Sequence, residues 1–173
     1  GAGSKDWLNY MLASRMPRAG RIVLAPMLKD DGKIIGDFSL SNLGDRGYFI
    51  AGSGPAEDYH MRWFEDHLPK DGSVKVEALG TKWCGLSIAG PRARAVLQAV
   101  TRDDVSSDSL SFMDIRKMNL GMAPALVGRI TFTGDTGFEI WCTPDYQRYL
   151  FDLNGVVQLE GALTPAEVDR VNA

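Results

Sequence analysis

A chain of 173 residues, 45% hydrophobic and 24% charged, is about one domain's worth and buries a core without help from disulfides or metals. Its formal net charge of −3, with acids and bases interleaved, lacks the basic footprint of a nucleic-acid binder, and no apolar run approaches the length of a membrane span. Cys84 and Cys142 form neither a CxxC pair nor a zinc spacing, so no metal is expected. With no visible signal peptide a reducing compartment is the default expectation, the cytoplasm or, in a eukaryote, the mitochondrial matrix.

Residues 5–16 read as a short amphipathic helix with Trp7, Leu8, Met11 and Leu12 on one face, stopped by Pro17. The runs Arg21–Lys29 and Lys33–Asn42 flank Asp30-Asp31-Gly32 and predict a β-hairpin. Gly44-Asp45-Arg46-Gly47 is a second turn, and residues 47–54 a third strand. Pro55 opens a helix whose inner stripe is His60, Trp63, Phe64, His67 and Leu68, and Ser73–Leu79 alternates as a strand. A second block begins near Lys82, with a strand over 83–90 and a Pro91-started helix to Val100. Residues 101–125 read mainly as connection, with a short helix near Leu110–Met113 as an option. A hairpin over Ala125–Thr133 and Gly137–Thr143 turns at Gly134–Gly137; Thr143 and Pro144 then start a helix, and Val156–Glu160 suits a last strand. The first block is β-β-β-α-β and the second β-α-β-β-α-β, the ferredoxin-like order. The fold class is therefore α+β, mainly antiparallel sheets with helices packed on them.

Asp37 is the most informative single residue, because aspartate is depleted in strands and this one stands mid-strand. Alternation puts Asp37 and Ser39 on one face, with Gly36 and Phe38 on the other. That face is either the wet side of an antiparallel sheet or the wall of a ligand cleft. Asp135, in Thr133-Gly134-Asp135-Thr136-Gly137, is either an ordinary turn residue or an acceptor for an NH-rich heterocycle. Gly52-Ser53-Gly54-Pro55 precedes a helix, but Glu57 and Asp58 in its first turn oppose an anion there. His60 and His67 lie on an apolar stripe and read as packed histidines. Cys84 reads as a core thiol.

Four segments carry a resemblance. Arg21–Leu28 with Asp31–Phe38 is similar to the folate-domain hairpin of the glycine-cleavage T-protein (aminomethyltransferase) superfamily. Tyr59–Pro69 resembles its dimethylglycine and sarcosine dehydrogenase branch, and Gly85–Arg94 the opening of the family's next βα unit. Phe132–Glu139 resembles the signature Tyr-Thr-Gly-Glu-x-Gly-(aromatic)-Glu. The resemblance divides the chain into residues 1–80, the first part of the folate-binding domain; 81–155, its ferredoxin-like part; and 156–173, an atypical tail. It also suggests a domain shortened at both ends.

The resemblance implies tetrahydrofolate as cofactor and capture of a one-carbon unit, from a dimethylglycine- or sarcosine-type N-methyl amine, as 5,10-methylenetetrahydrofolate. The iminium would come from a flavin dehydrogenase domain elsewhere, since nothing here resembles an FAD domain. Asp37 takes the place of the family's key acidic residue. Ser39 and Ala51 fall where the family lines its folate cleft, Asp135 where a glutamate meets the pterin, and Phe132 where a tyrosine flanks it. Asp135 is shorter than glutamate by a methylene and Phe132 lacks the hydroxyl. An inactive folate-binding or structural module is the alternative, and a homodimer is an open assembly.

Overall fold

The computed structural model describes residues 1–153. Those residues divide into two compact units, one of 1–82 with 112–116, the other of 83–111 with the described chain from 117 onward.

In the first unit, helix α1 (Ser4–Met11) buries Trp7, Leu8 and Met11. It ends before Pro17 is reached, because Leu12 turns extended and makes an isolated bridge to Met27. Strands β1 (Ile22–Leu28), β2 (Ile34–Asn42) and β3 (Tyr48–Ala51) form an antiparallel sheet in that order. Its first turn is the Asp-Gly one: Gly32 takes φ 80°, and Asp31 pairs with Lys33 at 2.9 Å. A one-turn 3-10 segment over Gly54–Ala56 leads into α2 (Glu57–Asp66), so Pro55 opens this turn rather than the α-helix itself. The Trp7 indole N–H donates to the His67 carbonyl at 2.7 Å and ties α1 to the end of α2. Between sheet and helices lies a core that includes Met27, Phe38, Leu40 and Phe64.

The expected strand over 73–79 is not one. Its alternation is real, since Val74 is buried and Val76 packs on the core, but no ladder partner flanks it. Segment 112–116 also belongs to this unit. Ile22 donates to the Met113 carbonyl, Ile115 to that of Gly20, and Arg21 is paired with Asp114.

In the second unit, β4 (Cys84–Ala89) is followed by α3 (Ala93–Val100), β5 (Ile115–Leu120, whose first two residues fall in the first unit), β6 (Ala123–Gly128), β7 (Gly137–Cys142) and α4 (Pro144–Leu153). The sheet order is β4-β7-β6-β5. β7 runs antiparallel to both neighbours, and the tight link of Gly121 and Met122 admits only an antiparallel β5–β6 pair. The core includes Leu97, Val105, Leu120, Val127, Phe138 and Ile140.

The α+β class holds, with antiparallel sheets and helices on them. The expected β-α-β-β-α-β order needs correcting, because three strands, not two, separate α3 from α4. The added strand is β5, where Arg116, Lys117 and Asn119 interrupt the apolar pattern while Ile115, Met118 and Leu120 face inward. No helix forms at 110–113; Leu110 closes a single turn on the Ser106 carbonyl. The β6–β7 hairpin exists, but β6 leaves the ladder at Gly128, so residues 129–136 are a loop rather than a strand and tight turn. The expected strand over 156–160 and the tail over 156–173 lie outside the described residues. No helix among the described residues is long and apolar enough to cross a membrane.

Candidate functional site

The geometry around Asp37 begins with a bulge. Met27 faces Gly36 and Leu28 faces Ile34, so Ile35 is the extra residue on β2. A bulge frees a backbone group from the ladder and re-aims the side chains beyond it. Here the freed Ile35 carbonyl accepts a hydrogen bond from His60 Nε2 at 3.1 Å, which fixes the ring tautomer. His60 in turn stands edge-on to Phe38, their centres 4.8 Å apart. The Phe38 ring lies across two glycines: a Cβ on Gly36 would come within 2.5 Å of Phe38 Cζ and 2.9 Å of His60 Nε2, and one on Gly52 within 2.5 Å of Phe38 Cδ1. Local sequence thus holds β2 from its core side, through His60, Phe38 and the glycines beneath the ring, and so sets the opposite side.

On that opposite side stand Asp37 and Ser39. Asp37 is exposed and faces Pro26 across the ladder; Ser39 is half-buried between Leu24 and Ala51. Leu24 is 63% exposed, and with half-buried Pro26 and Ala51 it gives the face an apolar floor. Ser41, further along the same face, is buried and its Oγ has no hydrogen-bond partner. An ionised aspartate on such a floor accepts hydrogen bonds only, so it suits a flat ligand with N–H groups or developing positive charge. Asp37, Ser39 and Ala51 are therefore neighbours within the first unit.

Phe132 and Asp135 belong to the second unit, in the loop between β6 and β7. Phe132 is 99% exposed and Asp135 is exposed as well. The loop is shaped by Gly134, at φ 82°, and by Gly137, where a Cβ would come within 2.7 Å of Thr131 Cβ. Thr131 therefore folds back onto the start of β7, and its hydroxyl meets that of Thr133 at 3.0 Å.

Glu139 is not among the site residues that the sequence alone points to. It follows buried Phe138 on β7 and faces away from that core, between Ser87 and Gly128. Burial raises its carboxyl pKa, and no donor among the described residues offsets the cost. The available signal was again an acid within a strand. His60 and His67 do take the packed role, each with a ring nitrogen on a backbone carbonyl.

A family model described as the GCVT N-terminal domain matches residues 1–154. Mitochondrial dimethylglycine dehydrogenase of Mus musculus is 27% identical over 142 residues, 82% of this chain and 16% of that protein. Aminomethyltransferase of Halothermothrix orenii is 28% identical over 147 residues, 84% of this chain and 40% of that protein. The chain thus spans well under half of either relative. Among solved structures, the glycine cleavage system aminomethyltransferase T from Bartonella henselae superposes with a TM-score of 0.73 at 20% identity, over 90% of this chain and 41% of that one.

Proposed function

The chain belongs to the GCVT N-terminal domain family, and from that premise we propose that it binds tetrahydrofolate and takes part in moving a one-carbon unit from an N-methyl amine of the dimethylglycine or sarcosine type. The observation that carries the reading is the open face of the first sheet, with exposed Asp37 over Leu24, Pro26 and Ala51. A reduced pterin is flat and rich in N–H groups, which fits an apolar floor edged by an acceptor. When bound, tetrahydrofolate supplies the amine nitrogens that capture the unit as 5,10-methylenetetrahydrofolate.

Asp37 is the residue proposed for catalysis. Its carboxylate accepts a hydrogen bond from a ligand amine, holds a proton at Oδ, and lowers the energy of positive charge nearby. Ser39 and Ala51 shape the face. On the second unit, Phe132 offers a stacking surface and Asp135 an acceptor, each exposed on the loop between β6 and β7. On the second unit, taken by itself, Glu139 is an acceptor whose uncompensated desolvation any N–H brought to it would repay. The iminium is supplied by a flavin dehydrogenase domain or subunit outside the described residues, and the setting is a reducing compartment, cytoplasm or mitochondrial matrix. A homodimer is compatible with this reading.

A second reading is a folate-holding module without turnover. It is favoured by Phe132 and Asp135, which stand where the family's pattern has tyrosine and glutamate. Calorimetric titration with tetrahydrofolate, run on the chain and on Asp37→Asn, tests both. Binding that falls at least about tenfold in the variant, the cost of one charge-assisted hydrogen bond, supports the Asp37 face. Equal affinity in both proteins, or none in either, removes it. Trapping of formaldehyde by the folate-bound chain then separates turnover from holding.

A further inference from the structure

The two cysteines are 58 residues apart in sequence and in direct register across the β4–β7 ladder, Cys84 opposite Cys142. Their sulfurs are 4.0 Å apart, and both lie on the core side of the second sheet. Both thiols are free. Opposed residues of an antiparallel pair have Cα atoms about 4.5 or 5.5 Å apart, and either value falls in the range a disulfide spans. Cys84 is the first residue of β4 and Cys142 the last of β7, so the pair sits at an end of the ladder, where small adjustments cost least. Closing the bond needs the sulfurs to approach to about 2.0 Å, mostly by side-chain rotation.

We propose that Cys84 and Cys142 form a reversible dithiol–disulfide pair that staples β4 to β7 under oxidation by a small-molecule disulfide such as oxidised glutathione. The two sulfurs differ in access, and this sets the order of events. Cys84 is partly exposed and Cys142 is buried. The Cys84 thiolate attacks the small disulfide, forms a mixed disulfide and releases one glutathione thiol. Cys142 then loses its proton, attacks the Cys84 sulfur and expels the second glutathione. Two thiol protons are released to solvent or to the departing thiolates, and the two electrons pass to the small disulfide, which leaves as two thiols. The Cys142 thiol is pushed up to about 12, first by burial and then by Cys84 itself. The second contribution disappears once Cys84 is capped, so the first step prepares the second. At rest the Cys84 thiol donates to the Cys142 carbonyl at 3.3 Å, which keeps the two side chains facing each other.

The test exposes the reduced 173-residue chain to glutathione buffers of rising potential and follows intact mass, thiol count and melting temperature. Both thiols should disappear together, with a mass loss of about 2 Da, a Cys84–Cys142 cross-linked peptide, and a melting temperature higher by roughly 5–10 °C that dithiothreitol reverses. Cys142→Ser should stop at one glutathione adduct, about 305 Da heavier, on Cys84. Cys84→Ser should take up none while folded. Two free thiols persisting in a buffer that oxidises the same chain in denaturant would overturn the proposal. So would separate adducts on both cysteines, or cross-links only between chains.

Discussion

Each unit carries one acid within a strand, facing away from its own core, and the two are held in opposite ways. Asp37 is solvated, and the packing that holds its strand in place lies on the core side, where Phe38, His60 and Gly36 meet. Glu139 is half-buried, and it bears the cost itself as a desolvated carboxyl with no donor among the described residues. The first arrangement separates stability from chemistry: the acid can change without touching the fold. The second joins them, since any donor brought to Glu139 also relieves the protein.

The sharpest way to break this contrast is Phe38→Ala. It removes the ring that spans Gly36 and Gly52 and should cost about 3–5 kcal/mol in denaturant unfolding, while Asp37→Asn stays within about 0.5 kcal/mol of the parent. Comparable losses from the two changes would mean that Asp37 is a structural residue. A smaller effect is expected from His60→Leu, which leaves the Ile35 carbonyl buried without its donor, a loss of roughly 1–3 kcal/mol. Folate affinity should fall with it if the bulge aims Asp37, so titrating the variant at a temperature where it remains folded separates aim from stability.

Glu139→Gln should have the smallest effect on stability, and it is upward. A carboxyl whose folded pKa lies above its unfolded value of about 4.5 favours the fold while protonated. That advantage is complete below the unfolded value and is lost as pH rises through the folded one. At neutral pH the charged form is thus a burden, and the amide should melt about 1–2 °C higher, a modest figure because solvent screens a half-exposed group. The difference should vanish on acidification below the unfolded value, and a gain that persists there would point to packing rather than charge.

Much of this was legible beforehand where local chemistry decides. Asp31-Gly32 dictated the first hairpin and Gly90-Pro91 the approach to α3, and alternation put Asp37 and Ser39 on one face. What escaped depended on distant partners. β5 carries charges that mask its pattern, and it is a strand because β6 returns beside it. Residues 73–79 alternate as a strand does, yet find no neighbour to pair with. The bulge at Ile35 is visible only through the register with β1. The Cys84–Cys142 pairing arises from a ladder joining residues that spacing kept apart. Asp135 is conspicuous as a turn acid, while Glu139 nearby reads as one polar residue in an apolar strand.

The bridge of Arg21 to Asp114 has a consequence for the order in which the molecule can be made. Its partners lie 93 residues apart, and the backbone bonds of Ile22 to Met113 and of Ile115 to Gly20 span similar distances. During synthesis the first unit therefore emerges early but waits for its last segment until residue 116 has left the ribosome, by which time β4 and α3 are already outside. Until then the chain just ahead of β1 has no partner for these groups, and a nascent chain halted near residue 100 would present them to solvent.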